Sequence, residues 1–340
     1  MTSDLRLLND WQHGFPLCRD PFGVLAAQTG LDRERVLAQM RAAQQDGRIS
    51  RIGGVFAHGS GGDAVLAAMA VPAHRIEAVA AAVSAHPGVN HNYLREHRHN
   101  LWFVMTGADQ HAVDAGVSGL EQATGLPAMR LRMVRPYRID LGFDLGGDTA
   151  RQPMRATAAG PALAPLPSTQ WSLARRVEAG LPLVERPYAQ WADELGGDED
   201  GVTERIGQWL AEGRLQRFGV VVRHHELGFA ANAMTVFDVP DEHVDDVGRA
   251  LAAQAGVTLA YRRERAPGWP YNLYAMVHGT HRQAVMGVIG RMTQAAGLAQ
   301  RPREVLFSTR RFKQTGARRF RGWDGADGGP QERSAEHAIA

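Results

Sequence analysis

Over residues 19–48 apolar positions recur at helical spacing, with Val24 and Leu25 on one stretch and Val36, Leu37 and Met40 on the next. Gly30-Leu31-Asp32 interrupts them, the glycine serving a turn and Asp32 an N-cap, so two short helices are predicted. The following segment, Gly47-Arg48-Ile49-Ser50-Arg51-Ile52, completes the pattern of a winged helix-turn-helix. Beyond it the period changes. Strands are predicted at Ala64–Val71, Val89–His97, Asn100–Thr106 and Met129–Ile139, with helices at Arg75–His86 and Asp109–Thr124. The order β-α-β-β-α-β is that of a ferredoxin-like unit, an antiparallel sheet with both helices on one face and the other face left for a partner or ligand.

The whole pattern then occurs a second time. Phe15-Pro16-Leu17 returns as Leu181-Pro182-Leu183, and Gly47-Arg48-Ile49-Ser50-Arg51-Ile52-Gly53 as Gly213-Arg214-Leu215-Gln216-Arg217-Phe218-Gly219. His58 returns as His224, Tyr93 as Tyr261, and Asn100-Leu101-Trp102 as Asn272-Leu273-Tyr274. Collinear order with little drift marks a tandem duplication whose second copy carries an insertion within 266–271. The expected fold class is therefore α+β, a tandem duplication of a winged helix-turn-helix plus a ferredoxin-like βαββαβ unit. The first copy takes 1–58 and 62–144, a linker rich in proline, alanine and glycine takes 145–168, and the second copy takes 169–226 and 229–316. The polar tail 317–340 is expected to be disordered. Two free sheet faces on one chain can pair, so an internal pseudo-dimer is expected, with the linker on its outside and higher homo-oligomers left open.

Composition narrows the class. A chain of 340 residues with 44% hydrophobic and 22% charged residues is globular and multi-domain, which excludes long-range disorder and collagen. Cys18 is the single cysteine, so neither an intramolecular disulfide nor a thiolate metal cluster is available. With no long apolar run and no secretion signal at the start, the chain is expected in the cytoplasm rather than in a membrane. The formal charge of +2 is too small to argue for nucleic acid. The basic set is lopsided, with Lys313 the single lysine among 38 basic residues. A GC-rich genome accounts for such a bias, and so does recognition of carboxylates or phosphates by guanidinium forks.

Strand alternation places Val89, His91, Tyr93, Arg95 and His97 on one face. An imidazole, a phenol, a guanidinium and a second imidazole make a poor core, so the row reads as a polar ligand site or an interfacial network. The matching row of the second copy is Val257, Leu259, Tyr261, Arg263 and Arg265, which keeps tyrosine and arginine but has lost the histidine. The insertion Ala266-Pro267-Gly268-Trp269-Pro270-Tyr271 is a rigid aromatic surface that either covers a planar ligand or staples its own hairpin. His97/His99 and His224/His225 lack acidic or cysteine neighbours at ligand spacing, so no metal site of the protein's own is expected.

Tandem units of this kind resemble the Lrp/AsnC architecture of transcription regulators. Asp193, Glu194, Asp198, Glu199, Asp200 and Glu204 crowd the second helix-turn-helix, however, and repel phosphates. More specific phrases lie elsewhere: Leu7-Leu8-Asn9 with Phe15-Pro16-Leu17, Arg48-Ile49-Ser50-Arg51-Ile52-Gly53-Gly54-Val55-Phe56, His91-Asn92-Tyr93-Leu94-Arg95-Glu96-His97, and Trp269-Pro270-Tyr271-Asn272-Leu273-Tyr274. These resemble the siroheme decarboxylases over residues 5–316, in the fused form that joins a D-like half to an L-like half. The resemblance implies a carboxy-lyase that removes carbon dioxide from the C12 and C18 acetates of siroheme in heme d1 biosynthesis, with no cofactor beyond the iron tetrapyrrole substrate. It implies catalytic roles for His91 as general acid, Tyr93 as its relay and Arg95 as a carboxylate anchor. It further implies substrate contacts from Arg51, His58, His97, Trp102, Arg217, His224, Tyr261, Arg263, Tyr271 and His278, with His224 or His278 as alternatives for an iron ligand. Other heme d1 biosynthesis proteins are further partners that it admits. A DNA-binding regulator and a heme-binding sensor are the rival readings.

Overall fold

The structure, a computed structural model, describes residues 3–139, 163–222 and 231–321. In the first copy α1 (Ser3–Asp10), α2 (Pro21–Thr29) and α3 (Arg33–Gln45) lead into β1 (Ile49–Phe56). Local chemistry sets these boundaries. Asp20 accepts from the Gly23 amide ahead of Pro21, Gly30 closes α2 at φ +71°, and Asp32 accepts from the Arg35 amide. The ferredoxin-like part follows as β2 (Asp63–Met69), α4 (Ile76–Ala85), β3 (Val89–Arg95), β4 (Leu101–Gly107), α5 (Gln110–Thr124) and β5 (Ala128–Ile139). The second copy repeats the order with α6 (Trp171–Ala179), α7 (Pro187–Leu195), α8 (Glu199–Ala211) and β6 (Leu215–Val222). It continues with β7 (Ala231–Phe237), α9 (Val244–Ala252), β8 (Val257–Arg263), β9 (Leu273–Gly279), α10 (Arg282–Ala295) and β10 (Arg303–Gln314).

Eight strands close into one barrel, in the order β10-β3-β4-β2-β5-β8-β9-β7. β5 and β10 are the joints. Each spans 12 residues, pairs through its first part with its own sheet and through its last part with the other copy, β5 with β8 and β10 with β3. The sheet faces expected to be free therefore enclose a lumen, lined by Leu66, Trp102, Leu131, Tyr261, Tyr274 and Leu306 among others. Helices α4 and α5 coat one half of the outside and α9 and α10 the other, each over its own core.

The wing is a departure from expectation. β1 and β6 pair antiparallel with each other, Gly53 opposite Gly219, instead of each folding back within its own unit. The two helix-turn-helix units share one core, from Leu7 and Phe22 in the first to Trp209 and Phe218 in the second. Close crossing at the centre requires glycine. A Cβ at Gly219 would lie 2.4 Å from the Gln12 carbonyl oxygen, and one at Gly53 would lie 2.8 Å from that of Val177, so β6 presses on the turn after α1 and β1 on α6.

The segment after β10 is a second correction. Residues 317–321, expected to begin a disordered tail, form a strap back across the barrel end into the helix layer. The Thr315 amide donates to the Asn90 carbonyl at 2.7 Å, and the Arg318 amide to Thr106 Oγ1 at 3.1 Å. The amides of Arg319 and Phe320 both donate to the Glu178 carboxylate. Phe320 is fully buried, 4.8 Å from the Phe56 ring and 5.7 Å from that of Trp171. Most of the expected linker and the tail from 322 onward lie outside the described residues; at the linker's end the Leu166 amide donates to the Ser60 carbonyl. Among the described residues no helix is long and apolar enough to cross a membrane. Phe320→Ala is expected to destabilise the chain by about 3–5 kcal/mol, read as a lower urea midpoint; an unchanged midpoint would show that the strap does not contribute to the fold.

Candidate active site

A bulge in β3 aims the site. Val89 pairs with Met105 and His91 with Val104, so Asn90 is an extra residue that breaks the alternation. Val89 consequently turns out to the core under α4 and α5, away from the row it was expected to join, while His91, Tyr93 and Arg95 face the lumen. The second copy has the same irregularity at Thr258, which sends Val257 outward and Leu259, Tyr261 and Arg263 inward.

His91 is enclosed by protein yet keeps part of its ring accessible, as a residue lining an internal space does. Its Nδ1 lies 2.7 Å from Asn90 Oδ1 and its ring stacks on Tyr93 at 6.2 Å. Burial, reinforced by the nearby Arg51 guanidinium, pushes the imidazole down to about 4. Burial also raises the Tyr93 phenol, against the pull of Arg95 and Arg311, so it stays protonated. Arg95 lies 5.5 Å over the Tyr93 ring, donates from Nη1 to the Leu306 carbonyl at 3.0 Å, and is lowered to about 10 by burial. Its counterpart Arg263 lies 4.6 Å over Tyr261 and donates to the Leu131 carbonyl at 2.7 Å.

Cations outnumber anions here. Arg51 reaches His91 from β1, in space that glycines at 180 and 316 leave open: a Cβ at either would come within 2.8 Å of its side chain. Arg319 of the strap is buried beside Glu178 and Asp63, and also bears on His58. The Nε–H groups of Arg51, Arg95, Arg263 and Arg319 are buried with no acceptor among the described residues. Unmatched guanidinium donors at low dielectric are costly, and carboxylates are the groups that satisfy them best. Glu178, itself pushed up to about 7 by burial, offsets only part of this charge.

The remaining expected contacts fall into three groups. Tyr261 and Arg263 share the lumen with His91, Tyr93 and Arg95, and Arg217 is buried against the Gln12 carbonyl, in the place that Arg51 holds in the first copy. His58 stands at the helix-layer side near Arg319 and Asp63, and His278 meets Thr258 Oγ1 at 3.0 Å beside the second bulge. His224 lies outside the described residues. His97, Trp102 and Tyr271 gather instead around Trp269, whose ring is 5.2, 5.3 and 4.9 Å from theirs respectively. Trp269 is itself buried and donates to Tyr274 Oη at 2.7 Å, so the insertion packs into the barrel and plugs one end. Trp102 pairs with Tyr93 across β3 and β4, so the plug adjoins the row through Trp102, while His97 lies beyond the end of β3.

Comparison with known proteins fits this geometry. The family described as AsnC-like ligand binding domain matches residues 60–138 and 226–313, and that described as siroheme decarboxylase NirDL-like HTH domain matches 4–49 and 172–215. The siroheme decarboxylase NirDL subunit of Paracoccus denitrificans is 40% identical over 316 residues, covering 92% of this chain and 96% of that one. The chain belongs to the siroheme decarboxylase family. A crystal structure of the siroheme decarboxylase NirDL superposes with a TM-score of 0.66 at 28% identity, covering 94% of this chain and 95% of that one. A second, of NirDL in complex with an iron-uroporphyrin III analogue, gives 0.65 at 27% identity over 94% of each chain.

Within this siroheme decarboxylase fold, sequence reasoning missed Asn90, Thr106, Glu178 and Arg319. Alternation puts Asn90 on the opposite face, and Arg318-Arg319 falls in the segment 317–340 expected to be disordered. A pH effect follows from His91. Its folded value near 4 lies below that of the unfolded chain, about 6.5, so the unfolded state binds the extra proton and this term of stability is lost as pH falls from 6.5 towards 4. His91→Gln is expected to flatten that slope in urea titrations at pH 4 to 7; an identical slope would place His91 in contact with bulk water.

Proposed function

We propose that this chain is the siroheme decarboxylase that converts siroheme to 12,18-didecarboxysiroheme on the route to heme d1, acting in the cytoplasm without a cofactor beyond its iron tetrapyrrole substrate. The observation that carries the reading is the set of buried, incompletely paired guanidiniums around a single imidazole–phenol pair. A macrocycle edged with carboxylates supplies the acceptors those donors lack, and arginine forks bind carboxylates in a fixed plane. The helix layer argues against nucleic acid. Several of its arginines are neutralised within the chain, Arg19 by Asp200, Arg33 by Glu185, Arg176 by Glu194 and Arg186 by Glu199, and Arg41 is taken up by the Leu183 carbonyl.

The chemistry is a carbon–carbon cleavage followed by proton delivery. The bond between the acetate methylene and its carboxylate breaks, carbon dioxide leaves, and the electron pair spreads into the conjugated ring. His91 then gives its proton to the methylene carbon and is reprotonated from solvent. An empty site holds His91 neutral, because burial and Arg51 both disfavour its charge. Substrate carboxylates reverse the local field and raise it, so the acid is charged when the ring is seated. Tyr93, held as a phenol, hands protons to the imidazole, and Arg95 fixes a neighbouring carboxylate. In the second copy Leu259 and Thr258 replace His91 and Asn90, so each chain has one productive constellation and the half-processed ring reseats between steps.

Anaerobic incubation with siroheme, followed by mass spectrometry, is expected to show loss of two carboxyl groups with transient accumulation of the singly decarboxylated species. Tight binding without a mass change would indicate a heme sensor instead. His91→Ala is expected to lower turnover by about 10²–10⁴-fold while the absorption change on binding persists. Loss of binding at unchanged turnover per bound ring would make it a ligand to iron or carboxylate. Tyr93→Phe is expected to cost far more activity than Tyr261→Phe; equal losses would mean that both copies hold working sites.

A further inference from the structure

Asn90 is buried, with 3% of its surface exposed, and both its side-chain polar atoms and its carbonyl are engaged. Its Oδ1 meets His91 Nδ1 at 2.7 Å, its Nδ2 meets Thr106 Oγ1 at 3.3 Å, and its carbonyl accepts from the Thr315 amide at 2.7 Å. Thr106 Oγ1 also accepts from the Arg318 amide at 3.1 Å. The chain of contacts therefore runs from the strap, through Thr106 and the bulged residue, to the imidazole.

An imidazolium carries a proton on each nitrogen. For Nε2–H to face the substrate, Nδ1–H needs an acceptor, and Asn90 Oδ1 is the one beside it. With Thr106 Oγ1 accepting both from the strap and from Nδ2, the amide oxygen is directed at His91. The bulge is what brings this about, since in a regular strand the side chain at 90 would point to the opposite face from that at 91. The second copy lacks the device. Its bulge holds Thr258, which meets His278, and the histidine itself is replaced by Leu259.

Resting on the decarboxylase reading, we propose that Asn90 is the positioning residue of the acid, fixing His91 with its proton on Nδ1 and Nε2 towards the substrate, and that the strap 315–318 holds Asn90 in place. The charged and titratable groups around His91 are Arg51 from β1, Tyr93 on its own strand, and Arg311 on β10 opposite Tyr93; β4 brings only Val104 and Thr106. Among the described residues Asn90 Oδ1 is the recorded contact of His91 Nδ1, and Gln314, which pairs with His91 on β10, accepts from Arg311.

The test uses the full-length protein and two readouts. Asn90→Leu is expected to lower kcat by about 10- to 100-fold, as for loss of an imidazole's orienting partner, with KM nearly unchanged. It should also move the alkaline limb of the rate profile to lower pH, because the imidazolium has lost its acceptor. Asn90→Asp is expected to restore kcat and move that limb to higher pH, since a carboxylate stabilises the charged ring and can accept from Thr106 through its second oxygen. Thr106→Val, which keeps the shape, should give a smaller loss than Asn90→Leu. Separately, ¹⁵N shifts of the His91 ring in the protein without siroheme should show Nδ1 protonated in the wild type and a mixed population in Asn90→Leu. A wild-type ring protonated on Nε2, or an alkaline limb that stays in place in both Asn90 variants, would overturn the proposal. If the wild type leaves siroheme unchanged, the decarboxylase reading fails, while the ring-nitrogen shifts still decide whether Asn90 sets the tautomer.

Discussion

A four-stranded ferredoxin-like sheet ends in two open edges, each a row of unpaired amides and carbonyls that must be covered. β5 and β10 meet that demand by being too long for their own sheets, so that each extends past it and becomes the missing neighbour in the other copy. Closure of the barrel is the consequence. Once the edges are joined, the inner faces have no route to bulk water except at the ends, and one end is filled by Trp269. The strands that seal the barrel also bring Arg95 against Leu306 of the other copy and Arg263 against Leu131, so the lumen's charged residues are anchored by the same joints.

That enclosure sets the electrostatics. A guanidinium on an open sheet face would be hydrated and inexpensive, whereas one inside a closed barrel is stable only if something negative or polar replaces the water. Backbone carbonyls satisfy one donor each on Arg95 and Arg263, and Glu178 serves the pair formed by Arg51 and Arg319 incompletely. An anionic ring, as the proposed function requires, would supply the missing acceptors. The same low dielectric lowers the His91 imidazole, and on that reading the ring's carboxylates would raise it again.

Much of this architecture is legible in the chain. Helical spacing around Gly30 and Asp32, period-two runs and the collinear repeat identify the elements and their duplication, because each depends on local propensity and burial. The row of His91, Tyr93 and Arg95 is legible for the same reason. What escapes is whatever depends on a partner strand. The bulge at Asn90 is a property of its pairing with β4, the exchange of β1 with β6 is settled by a contact between copies, and the strap is polar and arginine-rich apart from one phenylalanine. His97, Trp102 and Tyr271 gather around Trp269, and that grouping depends on where the inserted hairpin of the second copy packs, which no local pattern shows.

The position of Phe320 has a consequence for how the molecule is made. It completes the helix-layer core that Leu7 and Phe56 begin, so that core has a member missing until synthesis has passed residue 320. A nascent first half would emerge from the ribosome with the edges of its sheet exposed and its helix layer short of Phe320. The two halves must wait for each other, and the segment that completes the shared core is the same one that fixes Asn90 beside His91, so acquisition of chemistry coincides with the end of assembly rather than preceding it.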